Sequence, residues 1–176
     1  PPPLENLAAY EGQSVFYMVK SKQAFAGKRV VIAGGGDSAV DWAIALQGIA
    51  SSISVIHCRP KFRAAPESAA RLDALVAEGK VELVVPYQLA ALEGAGGQLS
   101  SVVVEDLEGQ TRKVPADILL PFFGLSMELG PIAEWGLALE KNTIAVQPTT
   151  MATSVPGIFA IGDVATYPNK LKLILC

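Results

Sequence analysis

The residues best suited to chemistry begin with a glycine cluster, Gly34-Gly35-Gly36-Asp37-Ser38-Ala39. Its spacing is G-x-G-x-x-A. In that pattern the first glycine permits a tight turn and the second lets the backbone approach a pyrophosphate. Ala39 lets a helix pack close to the preceding strand, and the helix start offers free N–H groups and the positive end of a dipole. Asp37 is awkward there, because a carboxylate repels a phosphate. Its ordinary role is to cap the helix N-terminus, where aspartate is favoured. Ser38 is then the better candidate for a direct phosphate contact. The bland alternative is a glycine turn that serves sterics alone.

A second cluster stands about 20 residues further on, where a site for NAD places an acid on the ribose. This chain has Ile56-His57-Cys58-Arg59 at that point, with no acid. The run His57-Cys58-Arg59-Pro60-Lys61-Phe62-Arg63 holds Arg59, Lys61 and Arg63 together with the only histidine. Guanidiniums grip a phosphate through paired N–H bonds, which lysine does less well. The pattern predicts a 2′-phosphate clamp on Arg59 and Arg63, hence NADP(H) rather than NAD(H). The alternative is an ordinary solvated basic loop, with Lys61 as plain surface charge. His57 is divided between a structural strand end and contact with the adenosine phosphate.

These clusters need a scaffold to bring them together. Arg29 to Ala33 is a near-continuous apolar run, as in a parallel strand buried on both faces. Residues 37–50 carry Ala39, Ala43, Leu46 and Ala50 at helical spacing, and Ile53 to His57 is a second β-rich run. Strand, glycine turn, helix and strand in about 30 residues make one βαβ unit. A second helix is expected over 67–78, ended by Gly79, and a third strand over Val81 to Val85. Leu99–Val104 and Thr111–Val114 flank Asp106-Leu107-Glu108-Gly109, which predicts a hairpin or small antiparallel meander within 88–114. Ala116 to Leu120 reads as another buried strand. Val15 to Val19 is a short strand or an ordered connection. After Gly124 the chain is punctuated by Gly and Pro, with short strands expected at Thr143–Val146 and Gly157–Ile161. Residues 1–12, proline-rich at their start and broken by Gly12, read as a linker.

Composition bounds the function. A chain of 176 residues suits one domain, or one and a fraction. At 51% hydrophobic and 18% charged residues it is no disordered chain. Fourteen Lys+Arg against 17 Asp+Glu give a net charge of −3, which excludes a basic nucleic-acid wrapper. Cys58 and Cys176 are the two cysteines. They cannot build a disulfide framework, and a cytoplasmic setting is the default. No run approaches the roughly 20 apolar residues of a transmembrane helix, and no signal-peptide pattern is present, so no membrane partner is expected. The chain opens on Pro1-Pro2-Pro3 and closes on Leu171-Lys172-Leu173-Ile174-Leu175-Cys176, and both ends are expected to be cuts through a longer protein. No acid/base pair, metal cluster or nucleophilic triad stands out, so no catalytic residue is assigned.

GGGDSAVDWA (Gly34–Ala43) followed by HCRPKFRA (His57–Ala64) resembles the NADPH domain of thioredoxin-reductase-like flavoproteins, and within them the ferredoxin–NADP reductases. Asp117–Pro121, Leu129–Leu137, Pro156–Asp163 and Tyr167–Ile174 match the same pattern, so the resemblance covers nearly all of residues 13–176. It implies an α/β fold: a Rossmann-like central parallel sheet with an antiparallel β-meander, plus a truncated part of a second, FAD-binding domain. Residues 13–122 would be the NADP(H)-binding domain and 123–176 the C-terminal segment of the FAD-binding domain. The resemblance gives NADPH to Gly34, Gly36, Ser38, Ala39, Arg59 and Arg63. Gly35, Asp37, His57 and Gly124 are placed with them in the cofactor-binding set. It gives FAD to Gly162 and Asp163, the carboxylate accepting a ribityl hydroxyl, against the alternative of a plain turn aspartate.

The implied activity passes electrons from NADPH through FAD to ferredoxin or flavodoxin, in a homodimer. Three departures matter. Cys58 stands where the pattern usually has an arginine. Residues 13–28 hold no cysteine, where thioredoxin reductases carry a redox CxxC, which favours the ferredoxin or flavodoxin branch. The resemblance places the first half of the FAD domain before residue 1 and a glycine-rich segment after Cys176, so both are expected to lie outside this sequence. On its own the fragment is therefore expected neither to hold flavin nor to turn over. The competing readings are a disulfide reductase with an unusual acceptor and a non-catalytic NADP-binding module. Phe159, Ile161, Leu173, Ile174 and Leu175 would ordinarily pack inside a flavin domain, so residues 150–176 are expected to be loosely ordered, rearranged or covered by another copy.

Overall fold

In a computed structural model of the chain, which describes residues 4, 6–124 and 128–170, the β-branched runs become strands. β1 (Arg29–Ala33), β2 (Ser52–Ile56) and β3 (Glu82–Val84) run parallel. Three antiparallel strands follow: β4 (Gln88–Ala95), β5 (Gln98–Glu105) and β6 (Thr111–Pro115). β7 (Ile118–Pro121) then returns parallel to β1, and the sheet order is β3-β2-β1-β7. Val15 adds one bridge to Leu119, so Val15–Val19 is an ordered connection. The chain divides into two compact units, Pro1–Gly124 and Leu125–Cys176.

In the first unit the buried residues of β1, β2 and β7 alternate between two cores, by the two-residue period of a strand. α1 (Leu7–Tyr10) is a single turn within the stretch read as a linker, and its Tyr10 is buried. α2 (Asp37–Ala45) and α3 (Pro66–Ala77) cover one sheet face, where Val30, Ile32, Val55 and Leu120 pack with Val40 and Leu72. The meander covers the other face, where Val31, Ala33, Ile56 and Leu119 pack with Val102 and Val114. The helix expected over 37–50 ends at Ala45, because Leu46 closes it and Gly48 turns the chain at φ 78°.

The entry of β1 is clamped to the start of β7. Arg29 donates to Asp117 Oδ2 from its backbone N–H at 2.8 Å and from Nε at 3.1 Å, and to Oδ1 from Nη2 at 2.6 Å. The Asp117 N–H donates back to the Arg29 carbonyl at 2.9 Å. The Arg29 hydrogen bonds hold the Asp117 carboxyl below its usual range, against the opposing pull of burial.

The second unit has a small core of Leu137, Ile144, Val146, Ala160 and Ala165. Its strands β8 (Leu139–Glu140), β9 (Thr143–Ala145) and β10 (Ala165–Thr166) lie in the order β10-β9-β8. The strand expected over Gly157–Ile161 does not form. Gly157 turns at φ 82°, Thr153 Oγ1 donates to the Ile158 carbonyl at 2.9 Å, and one bridge between Ala152 and Phe159 remains. Residues 150–170 fold against the small core rather than lying loose. Phe159 and Ile161 are exposed, while Leu173, Ile174 and Leu175 lie outside the described residues.

A carboxylate whose pKa is depressed by folding adds stability above its unfolded value and loses it as pH falls through the folded one. Asp117→Asn is therefore expected to lower stability at pH 7 by up to about 1 kcal/mol, the scale of a half-exposed pair. That deficit should begin to shrink as pH falls below the usual aspartate pKa near ~4 and vanish only below the depressed folded value. Urea denaturation across pH checks this, and a deficit that grows in acid contradicts it.

Candidate functional site

The end of β1 is where the chain loses its side chains. The Gly34 N–H donates to the Ile56 carbonyl at 3.0 Å, and its φ of 154° lies outside the range that side chains adopt easily. A Cβ there would collide with the Phe122 carbonyl and press on the Ala39 Cβ at 3.3 Å. A Cβ on Gly35 would enter the His57 ring. Gly36 holds the cap position of α2 without a side-chain cap. The first N–H groups of that helix therefore have no side-chain partner at the turn. Ser38 is exposed and Ala39 is fully buried beneath the turn.

β2 delivers His57 to the same place. Its ring is 8% exposed and stacks, tilted, on Phe62 with centroids 5.2 Å apart. Its Nε2 is buried with no hydrogen-bond partner among the described residues. Burial first, then the charges of Arg63 and Arg59, push its pKa down, against the upward pull of the Lys61 backbone. Arg59, Lys61 and Arg63 are exposed, and none enters an ion pair among the described residues.

The basic loop is tied to the glycine turn by backbone. The Arg63 N–H donates to the Gly35 carbonyl at 2.6 Å, and Gly36 and Arg63 form a parallel bridge. The Ala65 N–H donates to Asp37 Oδ1 at 2.8 Å. This corrects the expected role of Asp37: Gly36 occupies the cap of α2, and the carboxylate serves the start of α3 instead. A cleft of about 210 Å³ opens beside the turn, lined among others by Gly34, His57, Cys58, Tyr87 and Phe123. Sequence reasoning missed Tyr87 and Phe123; the aromatic pair Phe122-Phe123 directly after a buried strand was the available signal.

The remaining candidates sit apart. Gly124 ends the first unit at φ 88°, exposed and beyond the residues that line the cleft. Gly162 and Asp163 belong to the second unit. Gly162 opens a 3-10 turn, Gly162–Val164, at φ 79°, and Asp163 is exposed. Lys170 Nζ braces that turn, donating to the carbonyls of Gly162 at 2.8 Å and Ala165 at 2.5 Å. Among the described residues no group of three His, Cys, Asp or Glu could hold a metal ion, and no helix is long and apolar enough to cross a membrane.

Open parallel sheets bind ligands beyond the carboxyl ends of their strands, where the strand order reverses. A sheet ordered β3-β2-β1-β7, with its glycine turn at that point, defines an α/β dinucleotide-type fold. Residues 6–174 match the family described as pyridine nucleotide-disulphide oxidoreductase, and the chain belongs to that family. It is 64% identical over 174 residues to a ferredoxin–NADP reductase of Rhodospirillum rubrum, covering 99% of this chain and 50% of that protein. It is 65% identical over 175 residues to one of Acidiphilium cryptum, covering 99% and 52%. Thioredoxin reductase of Lactococcus lactis shares the fold at a TM-score of 0.83 and 25% identity, over 95% of this chain and 55% of that one. The chain spans about half the length of these relatives.

As the only histidine, His57 gives unambiguous ring resonances. They are expected to titrate below 6.5, and Arg63→Ala should move the midpoint upward. A histidine that charges more readily when unfolded costs stability as pH falls below its unfolded pKa. An NMR titration midpoint at or above 6.5 in the wild type contradicts this.

Proposed function

We propose that the first unit binds NADPH and serves a flavin-dependent oxidoreductase that passes electrons from NADPH through FAD to ferredoxin or flavodoxin. The observation that carries this reading is the 2.6 Å bond from the Arg63 N–H to the Gly35 carbonyl. It joins a seat for a pyrophosphate to a loop whose guanidiniums have no ion-pair partner among the described residues. The seat fits the group: Gly34 and Gly35 leave no Cβ in the way, and Gly36 leaves the first amides of α2 uncapped by a side chain. In this reading Gly34–Gly36, Ser38 and Ala39 shape the pyrophosphate turn. Arg59 and Arg63 hold the 2′-phosphate, and His57 Nε2, without a hydrogen-bond partner among the described residues, would be available to the adenosine phosphate.

When bound, a nicotinamide cofactor would supply hydride chemistry and a flavin the conversion to one-electron transfer. The chain's own part is to bind and orient. The boundaries proposed are 13–122 for the NADP(H) domain and 123–176 for the returning segment of the FAD domain, where Gly162 and the exposed Asp163 would meet the ribityl chain. A cytoplasmic homodimer is part of the same proposal. The names of the relatives support ferredoxin as acceptor. The likeness to thioredoxin reductase keeps a disulfide acceptor as the second reading, but residues 13–28 carry no cysteine for it.

Full-length protein loaded with flavin should oxidise NADPH with ferredoxin or flavodoxin and fail with a disulfide. If it reduces none of them, the electron-transfer reading falls. Arg59→Ala should weaken NADP(H) binding by about 10- to 100-fold, the worth of hydrogen bonds to a charged group, with NAD(H) nearly unchanged. Equal wild-type titration curves for the two nucleotides would refute the phosphate clamp.

A further inference from the structure

We infer that Asp37 is a positioning residue for cofactor choice: by accepting the Ala65 N–H it fixes the Arg63 loop over the glycine turn. The inference rests on the reading of Gly34–Ala39 and Arg59/Arg63 as the NADPH site. A carboxylate in the first turn of α2 works against a phosphate seat, so its presence calls for a compensating role. It does not cap its own helix, since Gly36 holds that position without any side-chain bond. Its Oδ1 instead reaches across 28 residues to the N–H of Ala65, at 2.8 Å.

Ala65 is the cap residue of α3, which has no side-chain cap of its own and begins with Pro66. Proline brings no N–H, so the Ala65 N–H is the donor that the Asp37 carboxylate takes up at this helix start. Lying at the beginning of both α2 and α3, it meets two positive dipole ends, which offset its charge. Arg63 precedes Ala65 by two residues, and its own N–H is held by the Gly35 carbonyl. The segment is thus pinned at alternate residues, 63 and 65. One pin comes from the glycine turn's backbone, the other from the Asp37 side chain. The exposed Arg63 guanidinium has no ion-pair partner among the described residues, so these backbone pins set the point from which it reaches. Further along the same helices, Ser68 Oγ donates to Asp41 Oδ1 at 3.0 Å. That tie and the buried packing of Val40, Ala43, Leu72 and Leu75 do not involve Asp37, so α2 and α3 are expected to stay docked when it is changed.

The test compares Asp37→Ala, which removes the acceptor, with Asp37→Asn, whose amide oxygen keeps it. Full-length protein is titrated with NADPH and NADH, and thermal melts verify that both variants are folded. Asp37→Ala should lower the preference for NADPH by roughly 10-fold through weaker NADPH binding, with NADH within about 2-fold of wild type, the scale of one lost charge-assisted hydrogen bond. Asp37→Asn should keep the wild-type preference. The pH titration of His57 by NMR in the 176-residue chain reports the position of Arg63 without any nucleotide. Arg63 and Arg59 push the His57 pKa down, and both Asp37 variants remove the same charge, so a difference between them reports geometry. The midpoint should rise in Asp37→Ala and stay in Asp37→Asn. Identical behaviour of the two variants, equal losses for both nucleotides, or an unmoved histidine in Asp37→Ala overturns the inference. A wild type with no preference for NADPH overturns the cofactor reading itself, and the histidine titration then decides whether Asp37 holds Arg63.

Discussion

The closeness of three strand ends is the constraint on which the rest depends. Gly34 lies so near the Phe122 carbonyl and Ala39, and Gly35 so near the His57 ring, that neither position has room for a side chain. With bulkier residues the end of β1 could not meet the ends of β2 and β7 at once. Because it does, α2 starts directly at the carboxyl edge of the sheet, with its first amides turned to the place where strand order reverses. The glycine turn is therefore a packing solution first, and the proposed phosphate seat rests on the same geometry.

Electrostatics divides the site into parts that must stay apart and parts that must meet. His57 lies buried under a loop that carries three cations, and both burial and the nearby guanidiniums disfavour its charged form. The guanidiniums themselves stay in solvent without carboxylate partners among the described residues. An arginine held in an ion pair would have to break it to take a phosphate, so unpaired cations suit a binding loop. The paired arginine, Arg29, stands at the opposite end of β1, bonded to Asp117. The two ends of one strand thus show the two uses of a guanidinium.

Much of this was legible in the sequence where the signal is local. β1, β2 and α3 lie within one or two residues of their expected spans, because apolar runs and helical spacing report burial directly. The glycine turn and the basic loop were readable from residue types alone. What was not legible depends on contacts distant in sequence. Asp37 looked like a cap until Ala65, 28 residues away, was seen to occupy it. The Phe122 carbonyl that demands glycine at position 34 leaves no trace in residue type. Gly157–Ile161 has strand-like composition, but a turn held by Thr153 takes its hydrogen bonds. Phe159 and Ile161, exposed in the second unit, show the same limit: composition gave their apolarity and could not give what lies against them.

The central claim is that one strand end seats both a pyrophosphate and a 2′-phosphate. A crystal structure of the full-length protein with NADP+ tests it most directly. The account predicts the pyrophosphate against the backbone N–H groups of Gly36 to Ser38, and the 2′-phosphate within hydrogen-bond distance of both Arg59 and Arg63. A nucleotide bound elsewhere, or one whose 2′-phosphate lies in solvent away from both arginines, would contradict it.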